Sequence, residues 1–189
     1  MKIALIDNYD SFTHNLVHYL EMFDCQVEVF RNNELELEDL QSFDALVLSP
    51  GPGIPKQAGL LMDIIKEYHS SKKILGVCLG MQAIGEFFGA TLLNSINPVH
   101  GMASELEVID TAEILFKNLP TKTQVGRYHS WVIDEKDFPN DLTITSKTCK
   151  NEIMSIRHKC FNICGVQFHP ESILTPFGKD MIKNWLFEK

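Results

Sequence analysis

Residues 73–82 read Lys73-Ile74-Leu75-Gly76-Val77-Cys78-Leu79-Gly80-Met81-Gln82. An apolar run of strand length climbs to a cysteine with a glycine two residues to either side, and a helix-like pattern follows at once. The form G-x-C-x-G is a cysteine counterpart of the strand–turn–helix elbow G-x-S-x-G. Glycines there let the backbone turn sharply and let neighbouring segments approach. A thiol at the start of a helix feels the positive end of the macrodipole, which favours the thiolate. Taken alone, the ten residues suit a buried core cysteine as well as a nucleophile.

Outward from this point the first half of the chain alternates short apolar runs with helical periods. Ile3–Ile6, Val27–Phe30 and Ala45–Leu48 have strand character, as does Lys73–Val77. Phe12, Leu16, Tyr19, Leu20 and Phe23 recur at helical spacing, with Asp10 or Ser11 as the expected N-cap. Leu61, Ile64, Ile65 and Tyr68 form a second stripe, and a third helix is expected from about Leu79 to Phe88. The second half is richer in strands, at 106–109, 142–145, 153–156 and 163–168, before an amphipathic helix carrying Phe177, Met181, Ile182, Trp185 and Leu186. The pattern predicts an α/β fold: an open, mostly parallel twisted sheet with helices on both faces and an added strand-rich second half. The 189 residues suffice for one domain, and no repeat, low-complexity tract or linker divides residues 1–189.

A formal net charge of −8 gives little support to nucleic-acid binding, which needs a basic face. No apolar run approaches the roughly 20 residues of a membrane helix. The start, Met1 to Asp7, meets an acid too soon for a secretory leader, so a cytoplasmic location is expected. Five scattered cysteines fit reduced thiols, and Cys160 and Cys164, lacking a second pair, are expected to be simple buried thiols. His14 and His18 share a helix face without an evident third ligand, so no metal site is expected there. Glu34, Glu36, Glu38 and Asp39 are expected to be solvated surface.

In open α/β sheets, sites form beyond the carboxyl ends of strands. Cys78 is one such position. A second is Gly165-Val166-Gln167-Phe168-His169-Pro170-Glu171, where a strand ends in a histidine with a carboxylate two residues on. A nucleophilic thiol needs an acid/base partner, and that imidazole needs an acceptor on its other nitrogen. The third is Ser49-Pro50-Gly51-Pro52-Gly53, a loop whose backbone N–H groups at Gly51 and Gly53 are open to approach and suited to an oxyanion.

Together with Ile6-Asp7-Asn8-Tyr9-Asp10-Ser11-Phe12-Thr13 and Arg127-Tyr128-His129-Ser130, these motifs make the whole chain resemble the class I (triad) glutamine amidotransferases. Within that family it looks most like the small subunit (component II) of anthranilate synthase and of aminodeoxychorismate synthase. The resemblance implies a flavodoxin-like sheet and a role at each matched position. Cys78 attacks the side-chain amide of L-glutamine, His169 serves as base and acid, and Glu171 orients His169. The N–H groups of Gly53 and Leu79 receive the oxyanion, while Gly51, Pro52, Gln82, Ser130 and Trp131 contact the substrate. No metal or other cofactor is implied in this subunit; the partner synthase, component I, is expected to need Mg2+. Met81 departs from the histidine that many chorismate-pathway relatives carry.

The chain ends soon after its last helix, so ammonia is expected to pass to a separate synthase subunit that aminates chorismate. The loop from Tyr9 to Phe12 is the expected docking surface, and His100 is expected near the partner. The open functional readings are the glutaminase of anthranilate synthase, that of aminodeoxychorismate synthase or one serving both, and a catalytically silent docking module.

Overall fold

Side-chain alternation in the first strands decides how the sheet is covered. The computed structural model describes residues 1–187, the side chains of Ile96 and Asn97 excepted. In chain order the elements are β1 (Lys2–Asp7), α1 (Thr13–Glu21), β2 (Gln26–Arg31), β3 (Ala45–Leu48), α2 (Leu61–Tyr68), β4 (Lys73–Val77) and α3 (Leu79–Phe87). There follow β5 (Leu92–Val108), β6 (Lys122–Ile133), β7 (Leu142–Thr148), β8 (Ile153–His158), β9 (Ile163–Val166) and α4 (Gly178–Phe187). Ile3, Leu5, Ala45 and Val47 point to one face, where they pack with Leu16 and Leu20 of α1 and with Met181, Ile182 and Trp185 of α4. Ala4, Ile6, Leu46 and Leu48 point to the other, against Leu61, Ile64 and Ile65 of α2 and Ala83 and Ile84 of α3. Because strand side chains alternate, continuous apolar runs are what a doubly covered strand requires.

The strands make one nine-stranded sheet in the order β2-β1-β3-β4-β9-β8-β7-β5-β6. The pairings from β2 through β9 are parallel, and those from β9 through β6 are antiparallel. The strand-rich second half therefore extends the parallel sheet sideways from β9.

Three sequence expectations need correction. The N-cap of α1 is Phe12, because Asp10 uses its carboxylate on the Phe12 N–H at 2.8 Å, in a turn one step before the helix. The strand placed at 106–109 is the end of a 17-residue strand, β5, and β6 beside it was not anticipated. Polar Arg127 and His129 interrupt the apolar pattern of β6 although both are buried, and β5 slips register at Asn94/Val99 and His100/Met102. Cys164 is buried as expected, but Cys160 is exposed; all five cysteines are free. His14, His18 and the acidic side chains of 34–39 are exposed. Among the described residues no helix is long and apolar enough to cross a membrane.

Candidate active site

Strands β3, β4 and β9 are parallel neighbours. Their carboxyl ends therefore deliver the 49–53 loop, Cys78 and the 167–171 segment to the same edge of the sheet. Cys78 is the N-cap of α3, with φ 52° and ψ −103°. A β-carbon is disfavoured at such a φ, so the thiol is held on a strained turn. Its N–H donates to the Val166 carbonyl at 2.7 Å and its carbonyl accepts from Gln82 N at 3.0 Å. The flanking glycines make the turn possible by close approach. A Cβ on Gly80 would stand 2.3 Å from the Leu48 carbonyl oxygen, and one on Gly76 would stand 2.5 Å from the carbonyl carbon of Gly80. Met81 is fully buried against Gly165 of β9, so it packs the sheet.

His169 follows β9 and is clamped by its backbone. Its N–H donates to the Gly126 carbonyl at 2.9 Å, and its carbonyl accepts from Thr175 Oγ1 at 2.6 Å. The imidazole Nδ1 donates to Glu171 Oε1 at 2.7 Å, with both side chains buried. Phe12 and Tyr128 meet the ring edge-on, with centroids 5.6 and 4.9 Å away. Nε2 is buried and makes no hydrogen bond. Burial opposes a charged ring here, but the neighbouring Cys78 thiol and the Glu171 carboxylate outweigh it and raise His169 from 6.5 to about 10.

The loop after β3 is fixed from β1. Asn8 donates its backbone N–H to Ser49 Oγ and its side-chain amide to the Ser49 carbonyl, each at 2.8 Å. Asn32 in turn donates to Asn8 Oδ1 at 3.0 Å. A Cβ on Gly51 would lie 2.5 Å from that of Asn8, and Gly53 adopts φ +77°. Leu79 opens α3, where the first backbone N–H groups have no partner within the helix.

These parts surround a cavity of about 190 Å³ lined by Gly51, Pro52, Gly53, Cys78, Gln82, Ser130 and Trp131, together with His100, Tyr128 and His129. Six of the seven substrate-contact candidates line it, and Leu79 does not. His169 and Glu171 do not line it either and are buried. His100, expected near a partner, lies on the cavity wall. Sequence reasoning assigned no role to Tyr128 or Gln167, although both lie inside quoted motifs. A polar amide within an apolar strand run was the available signal for Gln167. Among the described residues no group of three or more His, Cys, Asp or Glu gathers as metal ligands.

A thiol on a strained elbow, an imidazole held by a buried carboxylate and a small cavity beside the thiol are the parts of a cysteine-dependent acyl-transfer enzyme. The family model for glutamine amidotransferase class-I matches residues 4–189. The chain is 40% identical to the aminodeoxychorismate/anthranilate synthase component 2 of Bacillus subtilis, over 97% of this chain and 95% of that one. It is 42% identical to the aminodeoxychorismate synthase component 2 of Klebsiella aerogenes, over 97% and 98% of the two chains. The crystal structure of a protein from Thermoplasma acidophilum, described as one subunit of GMP synthase, superposes with a TM-score of 0.88 at 27% identity, covering 98% of this chain and 92% of that one. The chain belongs to the class-I glutamine amidotransferase family.

Proposed function

We propose that Cys78, His169 and Glu171 form the triad of a glutaminase that supplies ammonia to a separate chorismate-aminating synthase subunit. The observation that carries this is the Glu171–His169 pair at 2.7 Å, with the free Nε2 of His169 left beside the Cys78 sulfur. Glutamine enters the cavity and places its side-chain amide carbon at the sulfur. The C–S bond forms, and the oxyanion is received by the N–H groups of Gly53 and Leu79. His169 then gives its proton to the amide nitrogen, the C–N bond breaks, and ammonia leaves a γ-glutamyl thioester. Water, losing a proton to His169, attacks the thioester; glutamate departs and the thiolate returns. Gln82, Ser130, Trp131, Gly51 and Pro52 hold the substrate. Cysteine, imidazole and water supply every group these steps require, so no cofactor is assigned to this subunit.

Ammonia in water at neutral pH is largely ammonium, which is not nucleophilic, so delivery across an interface to an acceptor site fits the chemistry. We assign the acceptor as chorismate and the product as anthranilate, with aminodeoxychorismate as the second reading. Both product names occur among relatives of nearly equal identity. The test mixes the protein with each candidate synthase, chorismate, Mg2+ and glutamine, and identifies the product. Cys78→Ala is expected to abolish glutamine-dependent amination and to leave ammonia-dependent amination by the partner intact. Loss of both would show that Cys78 serves the fold, and glutamine-dependent product from Cys78→Ala would remove it from the chemistry.

A further inference from the structure

Gln167 has no exposed surface, and the mechanism above leaves it unused. A buried amide must have its hydrogen bonds satisfied, and here their direction can be traced from a fixed end. The Trp131 carbonyl can only accept, so the Gln82 atom 2.9 Å from it is the amide nitrogen. The same nitrogen lies 3.1 Å from the Gln167 side chain, which must therefore present its oxygen there. The remaining end of Gln167 is its NH2 group, and it sits 3.5 Å from Cys78 Sγ. A backbone carbonyl thus sets the polarity of a two-amide chain that ends in a donor aimed at the sulfur.

We infer that Gln167 is a further catalytic residue, which donates an N–H to the Cys78 sulfur and stabilises its negative charge, while Gln82 holds Gln167 in the donating orientation. The inference rests on Cys78 being the nucleophile. A donor to the charged form of a group favours that form, the more so in a buried site. His169 spends its proton on the departing ammonia and regains one from water, whereas the carboxamide of Gln167 keeps its hydrogens and faces the sulfur at every step.

The test is the pH dependence of iodoacetamide modification of Cys78, read on its own peptide by mass spectrometry so that the other four thiols do not interfere. Gln167→Met keeps the length of the side chain without the donor. Gln167→Glu keeps its shape and its bond from Gln82 but turns a negative charge toward the sulfur, and it carries the test should Gln167→Met fail to fold. At pH 7 modification is expected to slow about tenfold in Gln167→Met and further in Gln167→Glu. Both should converge on or exceed the native rate at the alkaline plateau, because a thiolate without its donor is the better nucleophile. A packing defect would not produce such converging profiles. Profiles that superimpose on the native one in either folded variant overturn the role of Gln167. If instead glutamine turnover by the native chain proves independent of Cys78, the glutaminase reading fails, and with it the inference.

Discussion

Comparing Cys78→Ala with Cys78→Gly separates the cost of the elbow from the chemistry of the thiol. Both variants lack the sulfur, so their difference reports only what a β-carbon costs at φ 52°, ψ −103°. At an ordinary position glycine is the less stable of the two by about 0.5–1 kcal/mol, through the entropy of the unfolded chain. A non-glycine residue in a sparsely populated backbone region stores about 1–3 kcal/mol. Relief of that strain minus the glycine penalty leaves a net preference for glycine of about 0–2.5 kcal/mol at position 78. For a chain of this size about 1 kcal/mol moves the melting temperature by roughly 2–4 °C. Cys78→Gly should therefore melt above Cys78→Ala by a few degrees, and by up to roughly 10 °C, in paired thermal scans, with neither variant releasing ammonia from glutamine. If Cys78→Gly melts below Cys78→Ala by roughly 1–4 °C, the ordinary glycine penalty, the elbow stores no strain and the backbone-strain reading is wrong.

Glu171→Gln keeps the shape of the pair but removes the charge that orients His169 and favours its protonated ring. Glutamine-dependent kcat should fall by roughly 10²–10⁴-fold, by analogy with neutralising the carboxylate of a serine triad, while ammonia-dependent amination by the partner persists. His169 is raised from 6.5 to about 10, so its contribution to stability is fully present below pH 6.5 and lost as pH rises through about 10. Urea midpoints followed across that window should fall less in Glu171→Gln than in the native chain. His129 moves the opposite way: burial, then the Arg127 charge, lowers it from 6.5 to about 4. The unfolded chain takes up that proton first, so stability falls by about 3 kcal/mol as pH drops from 6.5 toward 4, and His129→Asn should flatten this acid limb alone. Gly178→Ala would put a Cβ 1.7 Å from the Pro170 carbonyl oxygen, between His169 and Glu171. It should destabilise by about 3 kcal/mol, the upper end for overpacking, and should lower kcat more than it raises KM for glutamine.

The parallel half of the fold was legible because its strands are buried on both faces. Ala45–Leu48 and Lys73–Val77 are apolar almost from end to end, and the structure keeps those bounds. The carboxyl ends of β3, β4 and β9 then place Cys78, His169 and the Gly51–Gly53 loop together, which needed only strand order to follow. What failed to show was β6. Its buried positions include Arg127, which pairs with Glu152 at 2.9 Å and donates from Nε to His129 Nε2 at 3.0 Å. Such side chains look like surface in a sequence, because only the tertiary structure reveals the partners that let them be buried. The Gln82–Gln167 chain was hidden for the same reason: its members lie 85 positions apart, and neither amide declares its partner.

The two halves of the sheet do different work in this site, and the join between them explains why His169 comes from β9. β9 is the last parallel strand and the first to take an antiparallel neighbour. Its parallel side supports Cys78, whose N–H bonds the Val166 carbonyl. The segment beyond its end turns the other way and bridges to Gly126 on β6, the strand that brings Tyr128, Ser130 and Trp131 to the cavity. A Cβ on Gly126 would come within 2.8 Å of Ser172 Oγ, so a side chain there would press on the segment that follows His169. Cavity wall and imidazole are therefore tied together through Gly126 and Thr175, while Cys78 and the Gly51–Gly53 loop are positioned by the parallel ladder. A shift of β6 would move the wall and His169 together relative to Cys78.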